Sequence, residues 1–218
     1  MRITYSELKP EFLESLIRIH RETFKDHYNS RLGNHYTKEY LKWLSTKNEF
    51  DSFIICAFDE DEKRAIGYIC GARLGFQSKM NRDLLVPTIL SFLKKPWLIF
   101  DKRFFLFLAP KFRTLIGKEE YSEISKYEQQ LKQPIYSVIS FGIDSSFKSG
   151  MNLGFFILED LYKKFFEELK KRNVGTVRAT IRKNNQNIIK YYTMKKWTQS
   201  PIEGDSQTIF FYKEVSSK

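Results

Sequence analysis

The chain has 218 residues, 42% of them apolar and 29% charged, which suffices for a real core and excludes wholesale disorder. Its net charge of +11 invites a nucleic-acid partner, but Lys and Arg are spread over the whole length, so the excess is read as compositional and suited to a small anionic partner. Cys56 and Cys70 lie in apolar runs without metal-ligand spacing, the N-terminus lacks the apolar core of a signal peptide, and no apolar run approaches a spanning length, so a soluble cytoplasmic protein without a metal is expected.

Residues 2–8 alternate weakly and read as a first strand. Lys9-Pro10 turns the chain into a helix over 10–25, with Phe12, Leu13, Leu16, Ile17, Ile19 and Phe24 on its apolar face. A second helical pattern runs through Tyr36, Tyr40, Leu41 and Leu44. Phe53–Phe58 is a buried strand, and Ala65–Gly71 returns across the acidic turn Asp59–Glu62 as its hairpin partner.

Residues 76–134 break this rhythm and read as a helical insertion. Leu84–Leu93 and Phe104–Leu108 are strongly apolar, and between residues 79 and 118 nine Lys or Arg stand against two Asp. Two readings are open: helices forming a lid over a substrate cleft, which is the default, or an element docking on a membrane surface through residues 84–113. Residues 119–134 are polar and read as a loop or short helix. The remainder is regular, with a strand over 136–143, a helix over 153–173, a strand over 176–182, a helix over 185–195 and a last strand over 207–214. Strands alternate with helices, which predicts an α/β chain with a mixed sheet, organised as one domain over 1–218.

Two segments carry chemistry. The run Lys148-Ser-Gly-Met-Asn-Leu-Gly154, between a strand and a helix, has glycines that let the backbone approach a ligand, and a helix N-terminus behind them favours phosphate. Gly142 in the preceding strand marks either a bulge or a splayed end with backbone groups open to an amide-bearing ligand. Asn185 is followed seven residues later by Tyr192 and twelve later by Trp197. Asn185 suits a helix N-cap, and Tyr192, next to Tyr191, points a phenol in a different direction from its neighbour. Such a phenol could protonate a departing thiolate.

In these segments the chain resembles the GNAT superfamily of N-acetyltransferases. That pattern is a strand ending in Val-x-Pro, then Arg/Gln-x-x-Gly-x-Gly/Ala, a long helix, a strand, and Asn-x-x-Ala-x-x-x-Tyr-x-x-x-Gly-Phe. Ile143-Asp-Ser stands at the strand end, while Asn185, Ile188, Tyr192 and Trp197 fall in register with the last motif. The departures are a loop one residue longer than the pattern, Asn152 where the central Gly belongs, and Lys196 in place of the Gly before the aromatic.

The resemblance implies a mixed, mostly antiparallel sheet with splayed central strands flanked by helices, and acetyl-CoA as cosubstrate. It implies that the backbone of Phe141, Gly142 and Ile143 meets the pantetheine arm. Lys148, Ser149, Gly150, Met151, Asn152, Leu153, Gly154 and Phe155 would hold the pyrophosphate. Asn185 would contact pantetheine or orient its helix, and Tyr192 would be the general acid. No carboxylate lies on the fourth strand, so His20 on the first helix is the candidate general base, ahead of His27 and His35. The acceptor implied is a primary amine of a small molecule. A narrower similarity over His20–Phe24 and Tyr36–Tyr40 to enzymes of surface-polysaccharide biosynthesis suggests an amino sugar or its nucleotide. The competing readings are a non-catalytic CoA-binding regulatory module and a membrane-peripheral protein.

Overall fold

A computed structural model of the protein describes residues 1–46, 48, 50–101, 123–147, 153–202 and 207–215. Its strands are β1 (Ile3–Glu7), β2 (Phe53–Asp59), β3 (Arg64–Arg73), β4 (Ile135–Ile143), β5 (Thr176–Arg182), β6 (Thr198–Gln199) and β7 (Thr208–Glu214). They form one sheet in the order β1-β2-β3-β4-β5-β7-β6. Every neighbouring pair is antiparallel except β4 and β5. The centre of this sheet is apolar on both faces, which is why Phe53–Phe58 has no polar alternation. Phe53, Ile55 and Ala57 join one core, whereas Ile54, Cys56 and Phe58 join the other.

Helices α1 (Leu13–Thr23), α2 (Tyr28–Arg31) and α3 (Asn34–Ser45) cover the second of these faces. The helix expected over 10–25 is divided: Pro10 opens a 3-10 turn, Pro10–Phe12, and α1 begins after it. Between β3 and β4 lie α4 (Phe76–Asp83), α5 (Leu85–Lys94), a 3-10 segment at Pro96–Phe100 and α6 (Glu123–Gln129). The expected apolar element Phe104–Leu108 lies outside the described residues. The first face is covered by the long helix α7 (Leu153–Lys171), which sends Ile157, Leu161, Phe165 and Leu169 into the core, and by α8 (Gln186–Met194). Two short elements, α2 and β6, were not expected, because four and two residues are too few to show a period.

The parallel pair β4–β5 is anchored at one end by a buried charge network. Glu128 on α6 accepts from Arg178 on β5 at 2.7 Å and from the Tyr212 hydroxyl on β7 at 2.8 Å. Arg178 also reaches Ser137 on β4 at 3.3 Å, so one guanidinium ties β4, β5 and α6 together. Removing one partner would leave a buried charge uncompensated. Glu128→Ala should therefore destabilise the fold by about 3–5 kcal/mol, read as a lower urea midpoint.

Candidate functional site

β4 and β5 run in register from Ile135 opposite Thr176 to Val138 opposite Ala179, and there the pairing ends. At the same level β4 bulges: Ser140 opposes Cys70 and Val138 opposes Gly71, which leaves Ile139 as the extra residue. A bulge bends its strand and sharpens its twist, so β4 swings away from β5. Both strands continue, to Ile143 and Arg182, and between their carboxyl halves lies a cavity of about 280 Å³. Its strand walls are Val138–Phe141 and Ala179–Arg182.

One side of the cavity is closed by Thr23, Phe24 and His27, at and just after the end of α1. Gly142 permits that approach, because a Cβ there would lie 2.8 Å from the Thr23 hydroxyl and 2.9 Å from the Tyr68 ring. Gly142 therefore makes room for α1, and the bulge falls three residues earlier at Ile139. The Thr23 hydroxyl is buried and has no partner among the described residues.

The other side is closed by Asn185, Ile188 and Tyr192. Asn185 is the N-cap of α8, accepting from the Ile188 N–H at 3.3 Å. The helix ends in a Schellman motif, with Trp197 N–H donating to the Tyr192 carbonyl at 3.1 Å and Lys196 N–H to the Thr193 carbonyl at 3.0 Å. The apolar contact that accompanies this cap is Tyr192 against Trp197, edge to face with centroids 4.6 Å apart. Lys196 has φ 58°, the left-handed conformation that favours Gly. The spacing from Tyr192 to Trp197 is thus the spacing of a helix stop that orients a tyrosine.

The two adjacent tyrosines divide as expected. Tyr191 donates to Glu159 on α7 at 3.2 Å, while Tyr192 lines the cavity, and its hydroxyl has no hydrogen-bond partner among the described residues. Burial pushes the Tyr192 phenol up, so it is protonated at neutral pH. No carboxylate lines the cavity among the described residues; its ionisable groups are Tyr192, His27 and Arg182. Burial and the Arg182 guanidinium push the His27 imidazole down, leaving it neutral near pH 7.

The remaining expected residues fall in three places. Phe141 lines the cavity, and Ile143 ends β4 and packs toward α7. Leu153, Gly154 and Phe155 form the first turn of α7, which follows β4 in the chain; a Cβ on Gly154 would lie 2.6 Å from the Phe147 carbonyl oxygen. Lys148, Ser149, Gly150, Met151 and Asn152 lie outside the described residues. The sequence pattern had not marked Thr23 or Arg182, because a hydroxyl at a helix end and a charge at a strand end carry no periodic signal.

His20 is not on the cavity wall. It is buried between α1 and the sheet, its Nδ1 2.5 Å from the Tyr68 hydroxyl, with Phe24 and Tyr40 stacked around it. Tyr68 stands on β3 opposite Gly142 of β4, so His20 contacts the sheet beside the cavity and not the cavity itself. Burial, with a smaller contribution from His27, lowers its pKa from 6.5 to about 4.

Two outcomes follow from these local environments. His20 takes a proton more readily in the unfolded chain, so its contribution is complete above pH 6.5 and fades as pH falls through about 4. Wild type should lose about 3 kcal/mol more than His20→Gln across that window in urea titrations. Lys196→Gly should raise stability by about 1 kcal/mol, seen as a higher melting temperature, by relieving the left-handed conformation.

No protein-family model matches the sequence, and no curated protein matches it. Solved structures do match. The ribosomal-protein-S18-alanine N-acetyltransferase from Escherichia coli aligns over 100% of this chain and 96% of its own, with a TM-score of 0.53 and 11% identity. NAA60 from Arabidopsis thaliana, solved in complex with acetyl-CoA, aligns over 98% and 99%, with a TM-score of 0.57 and 13% identity. A GNAT-family acetyltransferase from Staphylococcus aureus aligns over 99% and 100%, with a TM-score of 0.54 and 11% identity. A mostly antiparallel seven-stranded sheet, one parallel pair that parts midway and alignment over the full length give this chain the fold of the GNAT N-acetyltransferases.

Proposed function

We propose that the protein is an N-acetyltransferase that moves acetyl from acetyl-CoA to a primary amine of a small molecule by direct attack. The observation that carries this reading is the parting of β4 and β5, which leaves strand edges facing a cavity that also holds an unpartnered phenol. An extended chain bearing amides, such as pantetheine, can take up those edges as a strand would. Phe141–Ile143 and Asn185 are the proposed contacts for it. Residues 148–155 are proposed for the pyrophosphate, helped by the N-terminus of α7. Arg182 adds a positive charge to the cavity wall. Acetyl-CoA in NAA60 supports this assignment by likeness of fold.

In the reaction the amine nitrogen attacks the thioester carbonyl, the C–S bond breaks and its electron pair leaves on sulfur. Tyr192 is the proposed acid. Burial makes complete transfer from its phenol uphill, so its main contribution is a hydrogen bond that strengthens as charge develops on the thiolate. The proton lost by the amine goes to a neutral imidazole. His27, on the cavity wall, is the proposed acceptor, whereas His20 is assigned the positioning of Tyr68. The amino-sugar acceptor rests on sequence similarity and is the first class to screen.

Among the described residues no carboxylate lines the cavity, which favours a second reading, a CoA-binding module without turnover. Calorimetry with acetyl-CoA, followed by an amine screen monitored by thiol release, separates the two. Wild type should bind, and Thr180→Trp, at an exposed position on β5 facing the cavity, should not. Tyr192→Phe should retain binding and lose about 100-fold in turnover. Binding with no turnover on any amine selects the module, and no binding by folded wild type sinks both readings.

A further inference from the structure

Helix α5 is built with its polarity reversed. Val86, Ile89, Leu90 and Leu93 recur at the spacing of one helical face, and all four are exposed, Leu93 at 73%. The 3-10 segment that follows extends the same character, with Trp97 62% and Phe100 89% exposed. The two fully buried positions of α5 are instead polar, with Phe92 half-buried beside them against Tyr28. Thr88 and Ser91 are buried, and their hydroxyls donate to the carbonyls of Leu84 at 2.6 Å and Pro87 at 2.8 Å. A helix that turns hydroxyls inward and Leu and Ile outward is arranged for apolar surroundings on its outer side.

Along the sequence from this helix onward the charge has almost one sign. Between residues 84 and 118 there are seven Lys or Arg and a single acid, Asp101. Asp101 is held by Arg31, and Asp83, just before α5, is held by Lys79 and the Trp43 indole. Lys94, at the end of α5, is exposed. A symmetric pairing of two copies through this face would bring Lys94 toward like charge, since Asp83 and Asp101 are already held within the chain. A bilayer with anionic headgroups supplies both an apolar interior and the complementary charge.

We infer that the outer face of α5 and of the adjoining 3-10 segment is a membrane-docking surface that inserts its apolar side chains into an anionic bilayer. Attachment is peripheral, since among the described residues no helix is long and apolar enough to cross a membrane. The surface is tied to the cavity through α2: the Tyr28 hydroxyl donates to the Leu98 carbonyl at 2.9 Å, and His27 precedes Tyr28. The inference stands independently of acetyl transfer.

The test is co-sedimentation of the full chain with phosphatidylcholine vesicles, with and without about 30% phosphatidylglycerol. Wild type should pellet with the anionic vesicles, far less with neutral ones, and release as salt rises. Trp97 fluorescence should shift to the blue on binding, and Trp97→Phe should abolish that shift. Leu93→Glu with Phe100→Glu, both at exposed positions and so without cost to the fold, should weaken binding by at least about tenfold. Circular dichroism and acetyl-CoA calorimetry of that variant report the fold and the cavity separately from docking. Wild type that stays in the supernatant overturns the inference. Equal binding by the double variant does so too, because charge alone would then explain it. Concentration-dependent self-association that the same substitutions abolish, without vesicle binding, replaces the bilayer by a second copy.

Discussion

Beyond Val138, β4 keeps its hydrogen bonds to β3 and has none to β5 among the described residues. Each buried backbone N–H or carbonyl left unmade costs about 1–3 kcal/mol, so an opened parallel pair persists only where the surroundings enforce it. Two features do so here. At the closed end, Arg178 binds Glu128 and Ser137 and holds β5 against β4. At the open end, the buried Asp144 accepts from Arg18 of α1 at 2.5 Å and from Arg64 of β3 at 2.9 Å, fixing the end of β4 to the opposite layer. Burial opposes that carboxylate's charge, but the Ser146 N–H and the Arg18 guanidinium outweigh it and hold its pKa below the usual range. β4 is thus pulled toward α1 and β3 at its far end, beyond the part that pairs with β5, and the bulge at Ile139 absorbs the difference.

The same logic places the phenol. Tyr192 could turn toward α7, as Tyr191 does, but the stop of α8 prevents it. The Trp197 indole that packs edge-on against Tyr192 donates to the Tyr162 hydroxyl of α7 at 2.5 Å, so the cap is fastened to the neighbouring helix. Lys196 bears the backbone strain of this arrangement. A residue of unfavourable conformation persists there because the hydrogen bonds and the ring contact around it determine the turn more strongly than its own preference does.

Much of this was legible in the sequence where the signal is periodic. The strand expected at 176–182 coincides with β5, and the helix expected at 153–173 ends two residues early, at Lys171. The register of Asn185, Tyr192 and Trp197 proved to be a cap, a cavity wall and a helix stop on one short helix. What could not be read was set by long-range geometry. Gly142 signalled closeness but not its cause, which is α1 crossing at Thr23. His20 was chosen for its chemistry and its helix, yet the residue seven further on faces the cavity, because the chain leaves α1 at Thr23 and turns before His27. Periodicity places residues on a face; which neighbour a loop residue meets depends on the path of the turn.

That distinction matters most for α1 and α5. Both have an apolar stripe; from sequence the first points to a core and the second to a lid over a cleft or to a membrane surface. In α1 the stripe is buried, with Leu16 and Ile19 fully enclosed against the sheet. In α5 the stripe faces outward because Leu84 and Leu98, on either side of the helix, bury themselves against α3 and α2 and fix its rotation. Thr88 and Ser91 can occupy the inner face at little cost only because a helix offers carbonyls four residues back to their hydroxyls. Without those bonds the buried hydroxyls would disfavour this rotation, and the apolar stripe would turn in. Internal satisfaction of two small polar side chains therefore frees an apolar surface for a partner outside the chain, and the exposed Lys94 at the end of the helix suits one that is anionic.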